Sequence, residues 1–319
     1  MAVNIKELSK KPELLAGGHR ACAGCGATMA LRQIMRAVEG PVVVGFATGC
    51  MEVVTTIYPY TAWRVPYIHV AFENVAAALS GVEAAYVSLK KQGKIAEDIN
   101  FIAFAGDGGT YDIGLQSLSG MLERGHNILY VCYDNEAYMN TGIQRSGSSP
   151  LGAATSTTPV GKALKGKQQW KKPIIDIAAA HGVPYVATAS PHNYNDLMGK
   201  VQKAMSMKGP KFMNVAASCN RGWRFIPDDA IELVRMAVEC CIFPLYEVEN
   251  GVFRVTYKPS KRMPVADYLK AQGRFSHFFK PGGEKYLEIY DKAVEARWQW
   301  LLEMEESTKK VPFGGMLHF

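Results

Sequence analysis

Residues 100–142 read NFIAFAGDGGTYDIGLQSLSGMLERGHNILYVCYDNEAYMNTG, and this stretch decides the fold. Two apolar runs, NFIAFAG (100–106) and NILYVCYD (127–134), flank a segment at 112–124 whose apolar positions recur with helical period. Strand, helix, strand is a parallel unit, and strands apolar on both faces belong to a sheet buried between helix layers. The same alternation continues outward. PVVVGFAT (41–48), PYIHVAF (66–72), VPYVATA (183–189) and KFMNVAA (211–217) read as strands, and 74–91, 174–181 and 194–207 as helices. The expected class is α/β, a mostly parallel sheet with helices on both faces.

Beyond a helix at 228–241, LYEVENGVFRVTYKP (245–259) reads as a hairpin turning at Asn250-Gly251, because those residues accept the left-handed backbone of a two-residue turn. A helix at 284–306 is expected as an arm over the domain or a partner. The chain divides accordingly into 1–241 and 242–319. Residues 140–172, rich in Gly, Ser, Thr, Pro and Lys, form a loop long enough to suggest a functional role.

With 319 residues, 48% apolar and 20% charged, the chain can bury a sizeable core. Its charge of +7 comes from 36 basic against 29 acidic residues without a basic block, which gives no footprint for nucleic acid. No run approaches the roughly 20 apolar residues of a membrane span, and MAVNIKELSKKPELL lacks a signal-peptide core. The expectation is a cytoplasmic protein that binds neither membrane nor nucleic acid. In that compartment seven cysteines are not a disulfide framework, so their placement carries the information.

Gly106-Asp107-Gly108-Gly109 ends one strand, and 27 positions after Asp107 the next strand ends in Asp134-Asn135-Glu136-Ala137-Tyr138-Met139-Asn140-Thr141. Both segments fall at carboxyl strand ends, where open α/β sheets bind ligands. Mg2+ on a diphosphate needs hard oxygen ligands, and Asp107, the Asn135 amide and the Ala137 carbonyl can supply them. Glycines beside Asp107 let backbone approach phosphate, and the following helix start favours an anion. Alone, Gly-Asp-Gly is more often a plain turn. With this interval and an Asn-bearing turn, it matches the fingerprint of a thiamine diphosphate site.

Cys22 and Cys25 form a C-x-x-C ahead of a helix, while Cys50 and Cys219 each follow a strand. Three segments thus offer four thiolates. Zinc and a [4Fe-4S] cluster are chemically equivalent at this level. The neighbouring thiamine site favours the cluster, since a one-electron carrier permits oxidation in single-electron steps and zinc does not. Cys132, Cys240 and Cys241 read as buried thiols.

HRACAGCG, ATGCMEV, WRVPYIHVAFENVAAALSGVEAA, the segment from AFAGDGG to TGIQRS, HGVPYVATAS and PLYEVENG closely resemble the beta subunits of pyruvate:ferredoxin oxidoreductases, within the 2-oxoacid:ferredoxin oxidoreductase family. The resemblance implies the thiamine-diphosphate fold of the diphosphate-binding type. It implies that Cys22, Cys25, Cys50 and Cys219 ligate a [4Fe-4S] cluster, with Cys50 bordering the thiamine, and that Asp107, Asn135 and Ala137 hold Mg2+. It further implies that Gly106, Gly108 and Thr141 lie against the diphosphate, and Asn140 near the reacting end as the catalytic candidate. The implied reaction is reversible oxidative decarboxylation of pyruvate to acetyl-CoA and CO2, with CoA as co-substrate and ferredoxin as acceptor. Another 2-oxoacid or oxalate remains an alternative. Less favoured are a non-redox thiamine decarboxylase and a non-enzymatic zinc protein.

The family's pyrimidine-binding Glu has no counterpart here. Nor is there a run C-x-x-C-x-x-C-x-x-x-C. Both are therefore expected from alpha, gamma and delta-type partner subunits. One departure stands out: the family's Pro-Cys-Pro-x-Gly-Trp is here Ser218-Cys219-Asn220-Arg221-Gly222-Trp223, where Arg221 either tunes the cluster or points to solvent. His69 reads as a hydrogen-bonded core residue, and Arg20 as a surface or cluster-tuning one. Glu73 and Asn74 read as a helix start that could line the cleft. Lys162 and the lysines of 165–172 read as solvated charge or a ferredoxin-docking loop.

Overall fold

The computed structural model describes residues 4–314. Eight strands, β1 Val42–Ala47, β2 Tyr67–Val70, β3 Asn100–Gly106, β4 Leu129–Asp134, β5 Tyr185–Ala189, β6 Lys211–Ala216, β7 Tyr246–Glu249 and β8 Val252–Val255, form one sheet in the order β2-β1-β3-β4-β6-β5-β7-β8. The first six are parallel, and the β7–β8 hairpin is antiparallel at one edge. The expected α/β class is what the chain forms.

Period-two alternation builds two cores. Phe101, Ala103 and Ala105 of β3 join Leu79, Leu118 and Met121 on one face, while Ile102 and Phe104 join Leu31, Ile34, Leu197 and Val201 on the other. Helices Val75–Lys91 and Leu115–Glu123 thus cover one face, and Gly26–Ala37 and Tyr194–Ser206 the opposite one. Each strand can be apolar throughout only because both faces are covered.

Register aligns the strand ends. Phe46 pairs with Phe104, Gly106 with Tyr133 and Asp134 with Ala216, so the turns after β1, β3, β4 and β6 emerge side by side at one edge. The chain leaves β1 for β2 on one side and then returns to place β3 on the other. That reversal opens a crevice at the carboxyl ends of β1 and β3.

The hairpin turns at Asn250 (φ 48°) and Gly251 (φ 78°), the two left-handed positions of its turn type. Its edge is covered: helix Glu284–Thr308 turns Glu305 and Thr308 to accept from the amides of Val255 and Phe253 at 2.8 and 2.9 Å. The helix expected at 112–124 starts earlier. A π-helical turn, Gly108–Ile113, begins directly after Asp107, and Thr110 Oγ1 donates to the Gly106 carbonyl at 2.8 Å. Pattern reading missed that turn because Gly108, Gly109 and Thr110 carry no apolar period.

Candidate functional site

The cleft at the β1/β3 switch is lined by Thr48, Cys50, Asp107, Asn135, Ala137 and Thr141, among others. Its floor is made by glycines. A Cβ on Gly49 would stand 2.5 Å from Tyr133 Oη, and one on Gly108 would stand 2.3 Å from the Tyr138 ring. The Tyr133 hydroxyl, buried between the ends of β1 and β3, has no hydrogen-bond partner among the described residues. A buried unpaired hydroxyl in a cleft lining is one that a ligand atom or a water can satisfy.

Asp107 is fully buried, and its Oδ2 accepts from Ser146 Oγ. Burial, then the charge of Asp134, push its carboxyl well above the usual range, so the site favours a proton or a cation there. Asn135 turns its amide so that the atom facing both Asp107 Oδ1 and the Ala137 carbonyl lies 2.9 Å from each. With oxygen in that position, three oxygens converge with no hydrogen between them. Rotating the amide by 180° would turn both contacts into N–H donations. The alternative is a cation between them. A carboxylate, an amide oxygen and a backbone carbonyl are hard donors of the kind Mg2+ takes. Asn140 and Thr141 are exposed at the mouth of the cleft.

The turn carrying Asn135 is held tightly. Asp134 accepts from Ser148 Oγ, Tyr111 Oη, Asn214 Nδ2 and Lys171 Nζ at 2.5, 2.8, 3.0 and 2.6 Å. Burial alone would raise its carboxyl, but the Lys171 ammonium and these hydrogen bonds outweigh it and hold the group below the usual range. Trp223 Nε1 donates to the Asn135 carbonyl at 2.8 Å.

The four cysteines come from elements packed at the same edge. Cys50 opens helix Cys50–Thr55 after β1, and Cys219 caps the short helix Asn220–Trp223 after β6, accepting from the Gly222 amide at 3.4 Å. Gly26, beside Cys25, donates to the Ser218 carbonyl at 3.0 Å, which ties the C-x-x-C segment to the Cys219 turn. Burial first, then the fields of Cys219, Cys25, Asp107 and Cys22, raise the Cys50 thiol. Cys22 is exposed, and the other three are half-buried. Among the described residues no group of three or more His, Cys, Asp or Glu side chains is gathered tightly enough to hold a metal ion. Four thiols from three segments are a donor set that either a zinc ion or a cluster ligated wholly by cysteine could use. Cys132, Cys240 and Cys241 are buried.

Several expectations change. His69 is not a core residue: β2 is the edge strand, and the half-exposed imidazole bonds Thr48 Oγ1 at 3.0 Å. The lysines of 165–172 are not a uniformly solvated set. Lys167 is buried and donates to the Gly147 and Ser149 carbonyls, Lys171 bridges Asp134 and Glu136, and Lys172 pairs with Asp112. Lys162 and Lys165 do remain exposed, as do Arg20 and Arg221. Asn74 immediately precedes helix Val75–Lys91 without a side-chain cap. Arg274, which carried no motif signal, proves to be buried and paired with Glu136.

The C-terminal TPP-binding domain model of thiamine pyrophosphate enzymes matches residues 47–215, which run from the end of β1 through β6 and include the residues lining the cleft. Fold and site together define a thiamine pyrophosphate enzyme. The PorB subunit of pyruvate synthase from Thermotoga maritima is 55% identical over 98% of this chain and 99% of its own, and that from Methanocaldococcus jannaschii 54% identical over 88% and 95%. The chain belongs to the pyruvate synthase PorB family, the beta subunits of the 2-oxoacid:ferredoxin oxidoreductases, and is an oxidoreductase subunit that works with partner subunits. The VorB subunit of ketoisovalerate oxidoreductase from Pyrococcus abyssi is 43% identical over 91% of this chain and 92% of its own. A 2-oxoglutarate:ferredoxin oxidoreductase from Magnetococcus marinus shares the fold, with a TM-score of 0.54 at 21% identity over 71% of this chain and 78% of that one.

Proposed function

We propose that this chain supplies the Mg2+–diphosphate half of a thiamine site and the first electron acceptor of a pyruvate:ferredoxin oxidoreductase. The approach of the Asn135 amide to within 2.9 Å of both Asp107 Oδ1 and the Ala137 carbonyl, one strand away from the Cys50 turn, carries the reading. In it Asp107, the Asn135 amide and the Ala137 carbonyl hold the metal, Gly106, Gly108 and Thr141 border the diphosphate, and Asn140 faces the reacting end. Cys22, Cys25, Cys50 and Cys219 ligate a [4Fe-4S] cluster. When bound, thiamine diphosphate supplies the nucleophile for the 2-oxo carbon and the electron sink for loss of CO2, and the cluster takes electrons singly. The chain's own part is to orient the diphosphate, keep the Asp107 carboxylate directed at the metal, and bring the thiols beside the same edge.

A carboxylate for the aminopyrimidine, further clusters and the docking of ferredoxin fall to alpha, gamma and delta-type subunits, with CoA as acyl acceptor and the cytoplasm as location. Among the described residues no helix is long and apolar enough to cross a membrane. The division into a cofactor domain at 1–241 and an appended hairpin and arm at 242–319 is part of the same proposal. Pyruvate is favoured over a branched 2-oxoacid because pyruvate synthase relatives reach 55% and 54% identity, although others stand at 47% and 44%, beside the ketoisovalerate one at 43%.

The test is anaerobic purification of the complex with iron, zinc and labile sulfide analysis, followed by viologen reduction with pyruvate, 2-oxoisovalerate and oxalate. Iron and sulfide with pyruvate turnover are expected. Zinc without iron would remove the redox reading, and turnover of another acid alone would change the substrate but keep the class.

A further inference from the structure

Three consecutive residues of the metal-binding turn are each held by a group from outside it. Asp134 and Glu136 both face Lys171 Nζ, at 2.6 and 3.2 Å, so one ammonium spans the residues on either side of Asn135. Glu136 also accepts from Arg274 Nη2 at 2.5 Å, a partner 138 positions along the chain. The Arg274 guanidinium lies 4.3 Å from the centre of the Trp223 ring, and that indole donates to the Asn135 carbonyl. Arg274 Nε donates to Gln272 Oε1 at 2.9 Å, and the Arg274 carbonyl accepts from the Ala154 amide at 3.1 Å. Glu136 itself sits in the left-handed region at φ 69°, a conformation an ordinary side chain adopts only when its surroundings impose it.

We propose that Lys171 and Arg274 are positioning residues for the metal: together they clamp Asp134 and Glu136, so that the Asn135 amide and the Ala137 carbonyl converge on Asp107. The inference rests on the Mg2+–diphosphate reading above. Two cations against two carboxylates make the clamp neutral, so it fixes geometry without adding charge to the metal site. The two residues reach the turn from different places: Lys171 from the long loop inside the TPP-domain match, and Arg274 from beyond its end at 215. The C-terminal region thereby becomes part of the metal site's construction. Groups that orient metal ligands in this way typically change metal affinity about 10- to 100-fold when removed.

The test uses the whole complex, stripped of metal with a chelator and titrated with Mg2+ at fixed thiamine diphosphate, with binding read by calorimetry. In Lys171→Met the half-saturating Mg2+ concentration is expected to rise about 10- to 100-fold. In Arg274→Lys, which keeps the charge but loses the planar fork over Trp223, it should rise less, and the iron content should stay at the wild-type level in both. A merely structural role would lower Tm and leave the Mg2+ titration unmoved, and that result overturns the clamp. If Lys171→Met does not assemble, Arg274→Lys decides by the same titration. A wild-type complex that binds thiamine diphosphate without any need for Mg2+ would instead remove the underlying reading, a distinct outcome visible before any variant is made.

Discussion

Gly26 and Ser218 are in backbone contact across the molecule: the Gly26 amide donates to the Ser218 carbonyl at 3.0 Å, and a Cβ on Gly26 would stand 2.5 Å from Ser218 Oγ and 2.6 Å from its nitrogen. This contact joins the segment carrying Cys22 and Cys25 to the turn carrying Cys219. Ser218 is fixed in turn, since its hydroxyl donates to the Ala230 carbonyl at 2.7 Å.

Gly26→Ala should therefore separate the two halves of the cysteine site. The added carbon cannot be absorbed by a flexible side chain, because backbone stands opposite it. We expect iron and labile sulfide per complex to fall by at least about half, with a stability loss of about 1–3 kcal/mol from overpacking. Full iron occupancy in this variant would show that the contact does not govern the cluster.

Cys219→Ser should abolish the cluster's low-temperature EPR signal in the reduced complex, while Cys132→Ser should retain it. The two thiols differ in location: Cys219 sits in a turn at the strand ends, and Cys132 is buried inside β4. Loss of the signal in Cys132→Ser and its retention in Cys219→Ser would reverse the assignment.

Asn135→Ala removes the amide that stands 2.9 Å from both Asp107 Oδ1 and the Ala137 carbonyl. Thiamine diphosphate affinity at saturating Mg2+ should weaken by more than about 100-fold, beyond what loss of an orienting neighbour costs. Calorimetric titration of the stripped complex measures it, and unchanged affinity would mean that the amide serves only to hydrogen-bond Asp107 and Ala137.

The long loop carries a pH signature. Burial, first among the causes, lowers the Lys167 ammonium to about 8. The unfolded chain holds that proton up to about 10.4. Between these values the unfolded state binds more protons, so this group makes stability rise as pH climbs from 8 towards 10.4 and costs stability below 8. Relative to Lys167→Met, wild type should gain up to about 3 kcal/mol across that window, at about 1.4 kcal/mol per tenfold change in proton affinity. Parallel pH profiles from denaturant unfolding would contradict the assignment.

Much of this protein is legible locally. The strands follow from continuous β-branched runs, the hairpin from Asn250-Gly251, and the position of the Asp107 and Asn135 turns from two motifs at strand ends, because each depends on residues adjacent in sequence. The four cysteines were recognisable as candidates because each lies in a turn beside a strand or helix end. The lysines and His69 were not legible in the same way. Whether Lys167 and Lys171 face solvent or carboxylate, and whether β2 is central or at the edge, depends on which distant segment packs alongside. Asp107 and Asn135 announce the proposed metal site by residue type. Only the tertiary fold brings Lys171, Trp223 and Arg274 to hold it, because the field and the contacts that fix Asn135 come from residues up to 138 positions beyond its own turn.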